Sequence, residues 1–204
     1  MQIKEKNAQG EMSATTRKVP PSVTSINSEH YAPMLVFDLV SSRRLQELQD
    51  LLVSSGYTAA RPSGPPHVTL GVTNHLEIKD YASIFSDWAA QQNSFPLILR
   101  QFGRFPNVGA LYLSPGSDTS LAETQKRFHK GFQMAARDTW RYYEPDMFTP
   151  HMSLGTEIAK EALDRAQQLI SAKITLPITV QVVGACVLKV PTQDELLPVR
   201  FPIA

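Results

Sequence analysis

Pro66-His67-Val68-Thr69-Leu70-Gly71 and Pro150-His151-Met152-Ser153-Leu154-Gly155 are two copies of one pattern. In each copy a histidine and a hydroxyl residue stand two apart, inside a short apolar run that reads as a β-strand. Side chains at i and i+2 of a strand point to the same face, so each imidazole stands beside its own hydroxyl. A duplicated fold that brings the two copies face to face supplies two proton carriers and two hydrogen-bond donors of phosphate size.

A lone histidine in an apolar strand is more often a satisfied structural residue than a catalyst. Proline, leucine and glycine can repeat for backbone reasons alone. Those reasons do not explain a titratable ring and a hydroxyl sharing one face in both copies, so the pair His67/Thr69 and the pair His151/Ser153 are the candidate site.

Outward from the motifs, Arg61-Pro62-Ser63-Gly64-Pro65-Pro66 must be a loop, because its prolines remove donors and restrict their neighbours. Upstream, Met34 to Val40 reads as a buried strand and Ser41-Ser42 as the cap of a helix carrying Leu45, Leu48, Leu51 and Leu52, with Gly56 as its stop. Downstream, Asp80 to Gln91 reads as an amphipathic helix with Tyr81, Ile84, Phe85 and Trp88 on one face. Phe95 to Phe102 and Ala110 to Ser114 read as strands joined by the segment 103–109. Thr119 to Trp140 reads as a helix capped by Asp118, with Leu121, Thr124, Phe128, Phe132 and Ala135 at helical spacing. Asp146 to Gly155 is the second motif strand and Lys160 to Ala172 a further helix. Thr175 to Val190 holds one strand, or two with Gly184 between them, and Val199 to Ile203 a short last one. Residues 1–32 show no sustained period and read as a flexible leader before a single domain over 33–204.

Interspersed strands and helices, with the motif repeated, predict an α+β fold. Two related lobes, each a β-sheet with helices packed outside, would line a central cleft.

Composition narrows the chemistry. Twenty Lys and Arg against nineteen Asp and Glu leave a formal charge of +1, so no bulk field favours long duplex nucleic acid. Any nucleotide must be recognised in a local pocket. The one cysteine, Cys186, excludes an internal disulfide and reads as a buried inert thiol. No apolar window of roughly 18 residues predicts a membrane span, and the leader lacks the apolar core of a signal peptide. The expectation is a cytoplasmic monomer without membrane partners.

Histidine titrates near pH ~6.5 when unperturbed, so one ring can act as base while its partner acts as acid. In-line displacement at phosphorus needs a proton removed from the attacking oxygen and another given to the leaving oxygen on the far side. Thr69 and Ser153 suit the negative non-bridging oxygens. Zinc would need three or four convergent ligands, and each strand supplies one histidine without a carboxylate at i+2. His30, His75 and His129 are isolated and read as surface residues. Walker and dinucleotide loops are missing, as is the nucleophile elbow that Ser153 would need in a triad.

At these residues the chain resembles the 2H phosphoesterase superfamily, named for two His-x-Thr/Ser motifs, and within it the 2′-5′ RNA ligase and cyclic phosphodiesterase group. The segments 66–70 and 148–154 match the signature strands. Gly103-Arg104-Phe105-Pro106, followed by Leu111-Tyr112-Leu113, resembles the family's segment between them. The resemblance spans roughly Met34 to Ile203. It implies a bilobal fold of pseudo-twofold-related halves and metal-independent, cofactor-free cleavage of a 2′,3′-cyclic phosphate or 2′-5′ linkage. By position it makes His67 and His151 the acid and base and gives Thr69 and Ser153 the phosphate. The partner is then a small nucleotide or RNA end. Arg61, Arg104, Phe105 and Tyr112 are the candidate substrate-binding residues, although Tyr112 suits core packing as well. Gly71 and Gly155 stand where members often carry a larger or charged residue. RNA 2′-5′ end joining, degradation of oligonucleotide immune signals and non-catalytic nucleotide or RNA binding are the rival readings.

Overall fold

The structure, a computed structural model, describes residues 29–203. The leader's residues 1–28 lie outside the described residues, while its last part belongs to the first strand, β1 (His30–Phe37). Helix α1 (Leu39–Ser54) begins earlier than the apolar pattern suggests. Its cap is Asp38, whose carboxylate accepts a 2.7 Å bond from the Ser41 amide. Asp38 was masked in the sequence because Leu39 and Val40 continue the apolar run, yet both are exposed in the first turn. Ser41 does a different job: buried, it accepts a 3.0 Å bond from the Gln181 amide. The far end closes as expected at Gly56, with φ +72°. The amides of Gly56 and Tyr57 reach back to the carbonyls of Val53 and Leu52, a Schellman closure.

The first motif forms β2 (His67–Thr69), followed by β3 (Thr73–Leu76) and α2 (Ile78–Ala89). The single strand expected over Phe95–Phe102 is two strands, β4 (Phe95–Leu99) and β5 (Gln101–Phe105), separated at Arg100 and paired in different sheets. Strand β5 takes in Gly103, Arg104 and Phe105, which had been read as connecting loop, and returns as β6 (Ala110–Ser114).

Helix α3 (Thr119–Ala135) has the expected cap, Asp118, which accepts from the Leu121 amide at 2.9 Å. It stops short of Trp140. Residues beyond Ala135 are mostly polar, and the chain turns extended to form β7 (Ala136–Thr139), paired with β3. After a 3₁₀ turn over Arg141–Tyr143 comes the second motif strand, β8 (Met152–Gly155), shorter than the run from Asp146. Helix α4 (Leu163–Ser171) follows a 3₁₀ turn over Lys160–Ala162. Strand β9 (Ile178–Val190) passes through Gly184 as one strand, and β10 (Asp194–Arg200) begins before the expected Val199.

Among the described residues these elements make an α+β fold with two antiparallel sheets and four helices. The large sheet has the order β10-β9-β1-β3-β7, with β2 also on β1 and β4 also on β9. The small one is β5-β6-β8. Helices α1 and α4 pack on the small sheet through β8 and β6, and α2 packs on α3 and β10. One apolar core runs through both sheets, with Leu35, Leu45, Leu52, Leu70, Leu111, Met152, Leu154 and Val182 fully buried. Full burial of such side chains contributes about 1.5–3 kcal/mol each, so the motif strands are anchored from beneath. The two motifs therefore sit in different sheets, and β2 and β8 adjoin. Among the described residues no helix is long and apolar enough to cross a membrane.

Candidate active site

The alternation of each motif strand is what aims the chemistry. In β2, Val68 is fully buried while His67 and Thr69 are half-buried. In the second motif, Met152 and Leu154 are fully buried while His151 and Ser153 are half-buried. The apolar residues point into the core, so both His/hydroxyl pairs share the opposite, accessible side. Register is fixed by pairing: Val36 opposes His67 and Met34 opposes Thr69, while Tyr112 opposes Ser153.

Both rings are held in one way. His67 Nδ1 lies 2.7 Å from the Pro65 carbonyl, and His151 Nδ1 lies 2.7 Å from the Thr149 carbonyl. A carbonyl can only accept, so each neutral ring carries its proton on Nδ1 and presents an unprotonated Nε2. The intervening Pro66 and Pro150, with φ fixed, hold the peptide plane beneath the ring. The repeated proline thus bears on how each ring is held as well as on the backbone. Its partner glycines do not: a Cβ on Gly71 would come within 2.8 Å of the Phe132 ring, and one on Gly155 within 3.0 Å of Leu52. These glycines admit the packed helices α3 and α1, and they do not shape a substrate mouth.

Burial pushes both imidazoles below their ordinary pKa, and the carbonyl bonds oppose this only in part. The charge of His151 also lowers His67, which is the electrostatic signature of two rings close enough to feel each other's proton. A pair of that kind resists taking a first proton through burial and a second through mutual repulsion.

His151 is flanked by aromatic rings. Phe105 stands edge-on to it at 5.1 Å, Tyr112 lies 5.1 Å away, and the two aromatics are 4.5 Å apart. Gly103 makes this possible: it opposes Tyr112 across the β5–β6 pair, and a Cβ there would fall 2.1 Å from the tyrosine ring. Tyr143, which sequence reading missed, is hydrogen-bonded to the Thr69 side chain, and burial pushes its hydroxyl up to about 12. A neutral phenol therefore sits beside the first motif.

A cavity of about 360 Å³ opens beside the second motif; of the four motif residues, His151 and Ser153 line it and His67 and Thr69 do not. Its walls include His30, Phe105, Trp140, Tyr142 and Tyr143, and His151 and Ser153 contribute to its base. Of the candidate substrate-binding residues, Phe105 lines it and Tyr112 packs on His151. Arg61 and Arg104 are engaged elsewhere. Arg61 pairs with Asp50 of α1 at 3.3 Å, and Arg104 bonds Asp164 and Gln167 of α4, on the opposite face of β5 from Phe105.

Two of the isolated histidines are not surface residues. His30 is only 8% exposed, its ring tilted against Trp140 at 5.2 Å; His129 is 4% exposed within the packed face of α3. The helical spacing Gln125, Phe128, His129, Phe132 carried that signal. His75 is exposed beside Asp138, and Cys186 is buried with its thiol pushed up to about 12. Among the described residues no group of three His, Cys, Asp or Glu side chains could hold a metal ion.

A family model described as the 2′-5′ RNA ligase superfamily matches residues 37–194. No curated protein matches the chain. Among solved structures, Escherichia coli LigT in apo form is 12% identical, with 85% of this chain and 98% of that one covered and a TM-score of 0.56. LigT complexed with ATP gives 12% identity, the same coverage and a TM-score of 0.52. A phosphoesterase is 14% identical over 85% of this chain and 96% of its own, with a TM-score of 0.51. At these identities the likeness is one of fold.

Proposed function

The chain belongs to the 2′-5′ RNA ligase superfamily of 2H phosphoesterases, and from that premise we propose a metal-independent phosphodiesterase that opens 2′,3′-cyclic phosphates or cleaves 2′-5′ linkages. The observation that carries this reading is the matched pair of imidazoles. Each is locked through Nδ1 on a carbonyl, so both Nε2 atoms are left for proton transfer.

For a cyclic phosphate, one neutral histidine takes a proton from water as the water oxygen forms its bond to phosphorus. The bond from phosphorus to one ribose oxygen breaks, and the other histidine, protonated, gives that oxygen its proton. The products are a ribose hydroxyl and a phosphomonoester, and the two rings end with their protonation exchanged. A 2′-5′ linkage follows the same scheme with the adjacent ribose hydroxyl as attacking group. Thr69 and Ser153 hydroxyls hold the non-bridging oxygens, where charge builds in the transition state. The half-buried phenol of Tyr143, bonded to Thr69, orients it for this.

Turnover of adenosine 2′,3′-cyclic phosphate and 2′-5′ ApA, with and without EDTA, tests the reading. His67→Ala and His151→Ala are each expected to lower kcat at least ~100-fold, the scale of an acid–base group, and EDTA to leave the native rate unchanged. Full activity in either variant, or loss with EDTA restored by added metal, overturns it.

A further inference from the structure

The chain enters the described structure at the wall of the cavity beside the second motif. Glu29 is the first described residue, held by the Lys189 ammonium at 3.0 Å and by the Tyr31 hydroxyl at 3.0 Å. The next residue, His30, already lines the cavity, its ring tilted against Trp140. Residues 1–28 are thus attached one residue from that wall. Seven residues separate Pro21 from Glu29, and an extended chain of that length spans roughly 20 Å, ample to turn back over the cavity.

The wall is of a kind that takes proline. Trp140, Tyr142, Tyr143 and Phe105 line it together with Met147. Trp140 is fixed in place, its indole N–H donating to Asn74 at 3.1 Å. Proline-rich segments dock in grooves of aromatic rings, because a polyproline II backbone is already extended and loses little entropy on binding. In the leader's sequence the matching stretch is Arg17-Lys18-Val19-Pro20-Pro21, where Val19 and Pro20 each precede a proline and so disfavour helical backbone. Two cations stand just before the prolines, and the carboxylate lining the cavity is the exposed Glu157. Arg141, exposed between Trp140 and Tyr142, is not part of the lining.

We propose that this cavity is the docking groove for the chain's own segment 17–21, with the prolines against Trp140, Tyr142 and Tyr143 and the cations toward Glu157. His151 and Ser153 line the same cavity, so the docked segment covers the second motif and competes with substrate. The competition rests on the phosphodiesterase reading and adds regulation to it; the docking does not depend on that reading. A short tether keeps the segment at roughly millimolar effective concentration, so modest contacts suffice.

A nitroxide attached to Ser22→Cys of the full chain tests the docking without turnover, because close contact with a nitroxide quenches tryptophan fluorescence. The native thiol, Cys186, is buried and pushed up to about 12, so the label goes to the introduced position. The chain has two tryptophans, and Trp88 is buried in the core, so quenching that disappears in Trp140→Phe reports the cavity. Emission is expected to rise at least twofold when ascorbate reduces the nitroxide, and this difference to be largely lost in Pro20→Ser/Pro21→Ser and in Glu157→Lys. Quenching that is absent, that survives either change, or that fades on dilution overturns the docking; the last result assigns the segment to a second copy. In turnover, Pro20→Ser/Pro21→Ser is expected to lower KM for adenosine 2′,3′-cyclic phosphate at least threefold with kcat unchanged, and a peptide of residues 15–23 to raise it again competitively. An unchanged KM beside intact quenching overturns the competition. A native chain that shows the quenching pattern but turns over neither substrate overturns the phosphodiesterase reading and leaves the docking in place.

Discussion

His67 and His151 gain their usefulness from what surrounds each ring. A carbonyl on Nδ1 fixes the tautomer, and burial against the protein pushes each pKa below its ordinary value. In the proposed mechanism the productive free enzyme holds one proton between two such rings, so its population peaks between the two lowered values. With both lowered from about 6.5, that peak lies on the acid side of it. A plot of kcat/KM for adenosine 2′,3′-cyclic phosphate is therefore expected to be bell-shaped with its maximum below pH ~6.5. A bound phosphate stabilises the imidazolium and raises its pKa, so the kcat profile should extend to higher pH than kcat/KM. A maximum of kcat/KM well above pH ~7 would mean that burial does not govern these rings. Around them, Thr69 and Ser153 are legible from spacing alone, because strand periodicity puts i and i+2 on one face. Tyr143 is not, since its bond to Thr69 joins residues that only the tertiary fold brings together.

The motif strands are short, and helices hold them crosswise. Gln49 of α1, buried, donates to the Ser153 carbonyl of the second motif at 2.9 Å. Gln125 of α3, also buried, donates to the Leu70 carbonyl of the first motif at 3.1 Å and to Tyr143 at 2.6 Å. Each helix precedes one motif in the chain and grips the other, so the glutamines tie the two halves of the site together. Gln125→Leu and Gln49→Leu are expected to lower kcat about tenfold or more through misplacement, with KM moving less than threefold. The unpaired carbonyls should also cost about 1–3 kcal/mol in urea unfolding. A stability loss with unchanged kcat would make these residues structural only. The elements themselves were legible wherever one period ran without interruption, as in α2 and α3. Errors fell at junctions. The apolar run through Asp38 hid a cap, and Arg100 looks like the middle of a strand although the chain changes sheets there. Trp140 ends the expected helix and Tyr142 and Tyr143 fall outside every expected element, though so dense an aromatic cluster was the one available hint of the cavity wall.

Across the whole molecule, three histidines in separate places have been folded into surroundings that oppose their charge: His67 and His151 in the two sheets, and His129 on α3. Burial lowers all three, although Glu144 and Asp146 pull His129 the other way. A histidine whose folded pKa lies below its unfolded value leaves the unfolded chain binding more protons between the two. Stability is then complete above the unfolded pKa of about 6.5 and falls as pH drops through the folded values. The folded midpoint in urea should therefore decrease from pH ~7.5 to pH ~5, a window in which exposed carboxylates of ordinary pKa contribute little. His129 separates this effect from catalysis, because it lies outside both motifs. His129→Gln removes one titrating group, so its stability should depend less steeply on pH over that window, even where its stability at pH ~7.5 is lower. An unaltered slope in His129→Gln, measured beside the native chain, would show that the ring keeps its ordinary affinity for protons in the fold.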